Sequence, residues 1–168
     1  IGALVAGLGF KGMITEGAKH ILGWKSPHYL YHCNMAPNLK LLLRDFKLSD
    51  DIGLRFSNSE WSDYPLYADK YISWIDSLPP QEQVINIVME LSAIGMAQSL
   101  ASNILEFLKA LPGCAKDKGI TFSTPTEIVT KLKSVSSFDV AYPISWVDEE
   151  RDLSPWLGNV MQREAFNK

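Results

Sequence analysis

The chain has 168 residues, of which 46% are hydrophobic and 21% are charged, with a formal net charge of −3 at pH 7. This composition is that of a globular protein and excludes a disordered or collagen-like chain. Acidic and basic residues are interspersed without a Lys/Arg block, so we expect neither nucleic acid nor an anionic membrane as a partner.

The cysteine content and the first residues bear on the cellular location. Cys33 and Cys114 have no neighbouring set of ligands with zinc-finger spacing, and we interpret both as buried free thiols. Few cysteines and no evident targeting signal favour a cytoplasmic location. The apolar stretch Ile1–Phe10 lacks a basic region and is too short to span a bilayer. Because the chain begins with Ile1 rather than Met, we expect it to be a fragment of a longer protein.

The first part of the chain alternates between strand-like and helical patterns. Gly12–Glu16 predicts a short strand, and the Gly- and Pro-containing stretch Gly17–Pro37 predicts a loop. Apolar residues at helical spacing predict a helix over Leu39–Phe46. The polar run Ser49–Asp51 predicts a break, and Ile52–Ser57 predicts a second strand.

The middle of the chain continues the alternation. An apolar stripe at helical spacing predicts a helix over Leu66–Leu78. The β-branched run Val84–Glu90 is typical of a parallel strand that is buried on both faces. Ala97–Leu111 predicts a helix that ends at Pro112, and Gly119–Ser123 predicts a fourth short strand.

Near the C-terminus, Thr124 is a good N-cap and Glu127 follows it as in a capping box, so a helix should begin there. Glu149–Phe166 predicts a further helical segment. The strand–helix alternation indicates an α/β fold with parallel strands. Four strands suit part of a (β/α) barrel, and an open doubly wound sheet is the main alternative.

Two predicted strands end in a carboxylate, namely Glu16 and Glu90. Parallel strands direct their C-termini to one face, where the active sites of α/β proteins lie. The two glutamates could therefore face each other across one cleft. Retaining glycoside hydrolysis requires such a pair, with one carboxylate as nucleophile and the other as acid/base. The alternative is that each glutamate only marks the point where its strand meets solvent.

The segment Gly7–Gly12 matches the G-x-G-x-x-G pattern of dinucleotide-binding proteins. That function also requires an acidic residue about 20 positions further on. No Asp or Glu occurs between Glu16 and Asp45. We therefore interpret the glycines as a helix end followed by a turn into the first strand, and we assign no cofactor.

Several aromatic residues follow the predicted strand ends, where flat rings can stack on sugars or simply fill the rim of a barrel. They are Trp24, Tyr29, Tyr31, Trp61 and Tyr64.

Three histidines, His20, His28 and His32, share one loop but lack the spacing and the carboxylate of a metal site. We assign no metal. No G-x-S-x-G nucleophile elbow is present either.

Long collinear motifs identify a family resemblance. They are Gly9–Pro27, Leu48–Ile52, Arg55–Asn58, Trp61-Ser62, Ala68–Lys70, Phe122–Pro125, Ile144–Leu153 and Trp156–Asn159. Together they resemble α-amylases of glycoside hydrolase family 57 over essentially the whole chain.

The resemblance implies a seven-stranded (β/α) barrel followed by a helical region, with retaining cleavage of α-1,4-glucans and no metal. It implies that residues 1–134 are the C-terminal half of the catalytic barrel and that residues 135–168 begin the helical region. It assigns the nucleophile to Glu16. Candidate substrate-binding residues are Trp24, Arg55, Trp61 and His20.

The chain departs from the family at the second carboxylate. Similar family members read Met-Asp-Tyr-Glu-Thr-Phe-Gly-Glu-His-Gln, with the Asp as general acid, whereas this chain reads Met89-Glu90-Leu91-Ser92-Ala93-Ile94-Gly95-Met96-Ala97-Gln98. Glu90 occupies the place of the acid but is one methylene longer. A displacement of about 1 Å can cost roughly a hundredfold in rate.

Three hypotheses follow. The first is a retaining α-glucan hydrolase with Glu16 as nucleophile and Glu90 as acid/base. The second is a degenerate relative that binds α-glucan without cleaving it, and the third is a transglycosylase or branching enzyme. The barrel edges of the isolated chain would be exposed, so we expect no catalysis by the chain alone.

Overall fold

The computed structural model describes residues 1–147 and 150–168. Its strands are β1 (Gly12–Glu16), β2 (Tyr31–Cys33), β3 (Ala36–Arg44) and β4 (Ser137–Phe138). Its α-helices are α1 (Gly2–Gly7), α2 (Lys19–Leu22), α3 (Phe46–Gly53), α4 (Ala68–Asp76), α5 (Ile104–Asp117), α6 (Pro125–Lys131), α7 (Ser154–Leu157) and α8 (Val160–Phe166). The predicted α/β class is confirmed.

The four strands form one sheet in the order β1–β3–β2–β4. β1 pairs in parallel with β3, and β2 pairs in parallel with β4, whereas β2 and β3 are antiparallel. The sheet is therefore mostly parallel, as the alternation predicted. Glu16 is opposite Arg44 in the β1–β3 register, so both residues lie at the same edge of the sheet.

The glycine-rich start has the predicted geometry of a helix end and a turn. Helix α1 stops at Gly7, and Gly9 has a φ of 87°, which glycine adopts without steric cost. The amide N–H of Gly9 donates to the Ala6 carbonyl, and β1 begins at Gly12. This path brings the chain from α1 directly into the strand that carries Glu16.

Two predicted elements were wrong, one because a short apolar run was taken for a helix and the other because buried polar residues were taken for a turn. Leu39–Phe46 is not a helix: most of it belongs to β3, whose apolar run Leu41–Leu43 is buried. Such short apolar runs do not distinguish a buried strand from a buried helix. Ile52–Ser57 is not a strand, since α3 begins beyond its N-cap Asp45 and includes the supposed break. Ser49–Asp51 is buried, not turned to solvent.

The segment Val84–Glu90 agrees only in part with the predicted buried parallel strand. It makes a single parallel bridge, between Asn86 and Arg44, at the end of β3. The Asn86 side-chain amide donates to the Leu43 carbonyl, and the Val88 N–H donates to the Ser49 hydroxyl. The segment is half-buried, not buried on both faces. The predicted strand Gly119–Ser123 is wrong, because that segment has no strand structure.

The remaining helices agree more closely with the sequence. Helix α4 lies within the predicted Leu66–Leu78, and the Thr124–Glu127 capping box opens α6 as predicted. Helix α5 differs at both ends, since it begins at Ile104 and contains Pro112 instead of stopping before it. The predicted helix Glu149–Phe166 is two short helices, α7 and α8, and its first residue lies outside the described residues.

Two apolar clusters form the core. One lies among α3, α4 and α5, and its aromatic centre is Phe56, Tyr71 and Phe107, with ring centroids 5.0 and 5.7 Å apart. The other lies on the sheet around Tyr31, Leu43 and Phe138. Cys33 and Cys114 are free thiols, and Cys33 belongs to the sheet cluster. No helix among the described residues is long and apolar enough to cross a membrane.

His28 is clamped between two carboxylates at the junction of three segments. Its Nε2 is 2.6 Å from Asp45, which caps α3, and its Nδ1 is 2.5 Å from Glu82. Both ring nitrogens face an acceptor, so both donate only if the ring is an imidazolium. Burial opposes that charge, but the hydrogen bonds to Asp45 and Glu82 outweigh it and raise the pKa of His28.

We expect the stability contributed by the His28 clamp to depend on pH. Because the pKa of His28 is higher in the folded state than its unfolded value of about 6.5, the contribution is complete below that value. It should be lost as the pH rises through the folded-state pKa. In urea unfolding between pH 6 and 9, the His28→Asn variant should lack this decline. The matched control His20→Asn, which removes an exposed histidine, should retain it. Equal slopes in His28→Asn and the unaltered chain would contradict the charged clamp.

Candidate active site

Glu16 lies buried at the C-terminal end of β1, with 6% of its surface exposed. The N–H of the next residue, Gly17, donates to the Arg44 carbonyl and continues the ladder past the end of the strand. A Cβ at Gly17 would lie 2.5 Å from that carbonyl oxygen, so only glycine permits this close approach. The Glu-Gly sequence thus fixes the backbone that presents the carboxylate.

The principal partner of Glu16 is Arg44, the last residue of β3. One guanidinium nitrogen of Arg44, Nη1, lies 3.3 and 3.4 Å from the two carboxylate oxygens of Glu16. Its Nη2 donates to Asp50 at 2.5 Å, and its Nε donates to the Val88 carbonyl at 2.7 Å. One side chain therefore connects β1, α3 and the segment that leads to Glu90.

Arg151 completes the cluster from the C-terminal region. Its Nη2 donates to the second oxygen of Asp50 at 2.7 Å, and its guanidinium lies over the ring of Phe46, 5.1 Å from the centroid. Two carboxylates and two guanidinium groups thus meet in one buried place, Glu16 and Asp50 with Arg44 and Arg151. We call these four residues the buried charge cluster. Each of the four charged groups has an oppositely charged neighbour within the cluster, and such pairing offsets part of the cost of burying ions.

The protonation of Glu16 reflects two opposed influences. Burial raises the pKa of Glu16, and the positive charges of Arg44 and Arg151 oppose the shift. The net pKa lies above the usual value of a glutamate. A carboxylate with a raised pKa and a fixed guanidinium partner is more basic than one in water but remains able to ionise.

Glu90 has different surroundings. It is exposed, and it accepts a hydrogen bond from the Ser92 hydroxyl at 3.1 Å. Within the part of the chain that the structure describes, it forms neither a hydrogen bond nor an ion pair with Glu16 or Arg44. Its connection to the cluster is through the backbone, because Arg44 holds the Val88 carbonyl two residues earlier.

Arg55 and Trp61 lie together, but in a cleft that does not contain Glu16. Arg55 is bound to Asp51 at 2.7 Å, and its guanidinium lies 6.0 Å from the centre of the Trp61 ring. The cleft has a volume of about 440 Å³ and is also lined by Trp74. The structure therefore joins these two predicted residues to each other, and not to the buried charge cluster.

The other predicted residues in the loop after β1 differ in exposure. Trp24 is 92% exposed, and His20 is exposed as well. Tyr31 is buried, and its hydroxyl donates to the Ser26 carbonyl at 2.6 Å, so it fills the core. Trp24 and His20 are thus open to solvent in the segment that follows β1.

Arg44, Asp50 and Arg151 were missed as site residues. Arg44 had a visible signal, since it is a single cation that directly follows the apolar run Leu41–Leu43. Asp50 had none, because an Asp-Asp pair beside Ser49 is typical of a solvent-exposed turn. The role of Arg151 depends on a tertiary contact across about a hundred residues, which no local pattern predicts.

We expect Arg44 to be a main determinant of stability. Replacing it in Arg44→Met leaves Glu16 and Asp50 buried with fewer counter-charges, and breaking a buried ion pair in this way costs about 3–5 kcal/mol. Lys118→Met is the matched control, because it removes an exposed ion pair with Asp76 and should cost less than about 1 kcal/mol. Both costs are measured by urea unfolding. Similar losses for the two variants would contradict the importance of the cluster.

Two comparisons with known proteins, one with a family model and one with a relative, agree on the family of this chain. The model of the family "Glycosyl hydrolase family 57" matches residues 1–141. A relative from Methanocaldococcus jannaschii with the curated name "Putative alpha-amylase" is 44% identical over 171 residues, which cover 100% of this chain and 36% of the relative. The chain thus spans about a third of the length of that relative. No solved structure matches the chain. The family match covers most of the sequence, including Glu16 and Glu90, and the chain belongs to glycosyl hydrolase family 57.

Proposed function

We propose that this chain carries the catalytic carboxylates of a retaining glycoside hydrolase that acts on α-1,4-glucans. The observation that supports this most is the position of Glu16: it is buried at the C-terminal end of a parallel strand and bound to the guanidinium of Arg44. Active sites of α/β proteins lie at this edge of the sheet. The name of the Methanocaldococcus jannaschii relative supports an α-amylase type of activity.

In the proposed reaction, the Glu16 carboxylate attacks the anomeric carbon and forms a glycosyl ester. The bond from that carbon to the glycosidic oxygen breaks, and Glu90 donates the proton that the leaving oxygen takes up. Water then attacks the ester while Glu90 removes its proton, so the sugar is released with retained configuration. Arg44 positions Glu16, and its charge favours the ionised form that attacks.

The same proposal extends to the architecture. The mostly parallel sheet is proposed to be part of a seven-stranded (β/α) barrel, with residues 1–134 in the barrel and residues 135–168 at the start of a helical region. Trp24 and His20 are proposed to contact the glucan at the rim beside Glu16. Their exposure supports a role in contact with a ligand, since neither is required for the core.

We expect Glu16→Gln to lower the hydrolysis of maltoheptaose by about 10³-fold or more, because the amide cannot form the glycosyl ester. Because we expect no catalysis by the chain alone, the measurement uses a chimaera in which the chain replaces the matching third of the Methanocaldococcus jannaschii relative. Glu60→Gln, a change of the same kind at an exposed position, should keep full activity. Unreduced turnover in Glu16→Gln would remove Glu16 from the mechanism.

A second candidate function, α-glucan binding without cleavage, is favoured by the exposure of Glu90. A general acid must come within about 5–5.5 Å of the nucleophile in a retaining enzyme. The Glu90 carboxylate instead faces solvent and bonds to Ser92. If the polar neighbours found in similar family members are what brings the acid to its place, their absence here separates the two carboxylates.

Restoring the acid motif should separate the two functions. The variant combines Glu90→Asp with Leu91→Tyr, Ser92→Glu, Met96→Glu and Ala97→His in the chimaera. If the chain is a binding protein, maltoheptaose binds to the unaltered chimaera without release of product, and the variant gains hydrolysis. If Glu90 is the working acid, the unaltered chimaera hydrolyses maltoheptaose and Glu90→Gln lowers the rate by about 10²-fold or more.

A further inference from the structure

A cleft of about 440 Å³ lies between α3, α4 and the loop that connects them. Its walls include Asp51, Arg55, Trp61, Asp63, Trp74 and Ser77. This volume is within the range of small-molecule sites, roughly 300–1,000 Å³. We call it the tryptophan cleft.

The tryptophan cleft is on the opposite side of the β3–α3 junction from Glu16. Arg44 and Asp45 are consecutive residues of extended backbone, so their side chains point in opposite directions. Arg44 points to Glu16, whereas Asp45 points to His28 at the wall of the cleft. The consecutive residues Asp50 and Asp51 of α3 also point to different places. Asp50 joins the buried charge cluster, whereas Asp51 lines the cleft.

Two indole rings give the cleft aromatic surfaces in different orientations. The centroids of Trp61 and Trp74 are 6.2 Å apart, and their planes are inclined at 75°. Trp74 is anchored against Tyr71 of the helical core, with a centroid distance of 5.9 Å. Trp61 lies in the loop and is half-buried, so part of its ring remains available to a ligand.

Hydrogen-bonding groups surround these rings. Asp51 is 2% exposed, and it binds the Nε of Arg55 at 2.7 Å. Another nitrogen of Arg55 donates to the Lys47 carbonyl at 3.1 Å, which fixes the guanidinium beside Trp61. Asp63, which also lines the cleft, is held by Lys70 at 3.0 Å. Carboxylates and cations thus both line the cleft, and no single sign of charge dominates.

These features fit one class of ligand. A neutral sugar has an apolar C–H face that packs on aromatic rings, and its hydroxyl groups donate to carboxylates and accept from Arg and Lys. The carboxylates of Asp45, Asp51 and Asp63 offset the cations that line the cleft, so a phosphate would find no excess of positive charge. A purely apolar ligand would cover the polar groups of Arg55 and Asp63 without offering them hydrogen bonds.

We propose that the tryptophan cleft is an accessory binding site for a neutral α-linked oligosaccharide, separate from the site at Glu16. The assignment takes its ligand class from the proposed function. Arg55 and Trp61, which the sequence analysis assigned to the catalytic groove, then belong to this second site. There they bind a glucan chain but do not contact the bond that is cleaved.

The test titrates maltoheptaose into the full chain and follows heat by calorimetry and intrinsic tryptophan fluorescence. We expect saturable binding that Trp61→Ala weakens by at least about tenfold, with Trp61→Phe restoring most of the loss because it keeps an aromatic face.

Arg55→Gln is the second variant, since it alters a half-exposed side chain and keeps the aromatic core intact. Trp156→Ala, in the exposed helix α7, is the matched control and should bind as the unaltered chain does. Circular dichroism and the urea midpoint verify folding of each variant.

The proposal is overturned if the unaltered chain shows no saturable binding, or if both Trp61→Ala and Arg55→Gln bind maltoheptaose as tightly as the unaltered chain. It is also overturned if Glu16→Gln abolishes all binding, because the ligand then lies at the catalytic glutamate. Cellohexaose, a β-linked chain, should bind more weakly than maltoheptaose, and equal binding would overturn the selectivity for α-linked sugars.

The accessory site and the proposed hydrolysis can fail independently. Loss of hydrolysis in Glu16→Gln with unchanged binding in Trp61→Ala and Arg55→Gln removes the accessory site and leaves the catalytic role of Glu16. Weakened binding in Trp61→Ala, together with unreduced hydrolysis in Glu16→Gln, supports the accessory site and removes Glu16 from the mechanism.

Discussion

The architecture around the candidate active site depends on the neutralisation of buried charge. An ionised carboxylate buried without a partner costs several kcal/mol, and the same holds for a guanidinium. Glu16 and Asp50 are tolerated because Arg44 and Arg151 are buried with them. The third guanidinium nitrogen of Arg44, Nε, donates to the Val88 carbonyl. The cluster therefore fixes the positions of β1, β3, α3 and two segments distant in sequence, since moving any of them would leave a buried charge unpaired.

The junction of β3 and α3 divides the polar residues between two places. Extended backbone sends Arg44 and Asp45 to opposite sides, and the helix turns Asp50 and Asp51 apart by about 100°. Arg44 and Asp50 serve the environment of Glu16, whereas Asp45 and Asp51 hold His28 and Arg55. The eight residues from Arg44 to Asp51 thus contribute both to the surroundings of Glu16 and to the wall of a separate cleft. A substitution here should affect both places unless it is confined to one side chain.

Sequence patterns predicted correctly the elements that depend on neighbouring residues alone. The strand that ends at Glu16, the turn before it and the Thr124 capping box follow from glycine geometry and N-cap chemistry, and the structure has all three. Local rules failed where burial of polar residues decides the outcome. Ser49–Asp51 resembles a turn in sequence, yet these residues lie inside a helix. Asp50 is paired with Arg44 and with the distant Arg151, and Asp51 is paired with Arg55, one helical turn later. Likewise, Arg55 and Trp61 were expected at the end of a strand over Ile52–Ser57, but the element that directly precedes them is helix α3.

The same physics explains why Glu16 and Glu90 are not equivalent. A nucleophile must be ionised and desolvated at once, and these demands conflict because burial favours the protonated form. A fixed guanidinium reduces this conflict, and Arg44 supplies it to Glu16, although burial still keeps the pKa of Glu16 above its usual value. Glu90 has no such partner among the described residues, since it is exposed and bonded to the Ser92 hydroxyl. Its connection to the buried charge cluster is the hydrogen bond from Arg44 to the Val88 carbonyl, two residues earlier. The cluster therefore fixes the Glu16 carboxylate directly, but it reaches Glu90 only through the backbone.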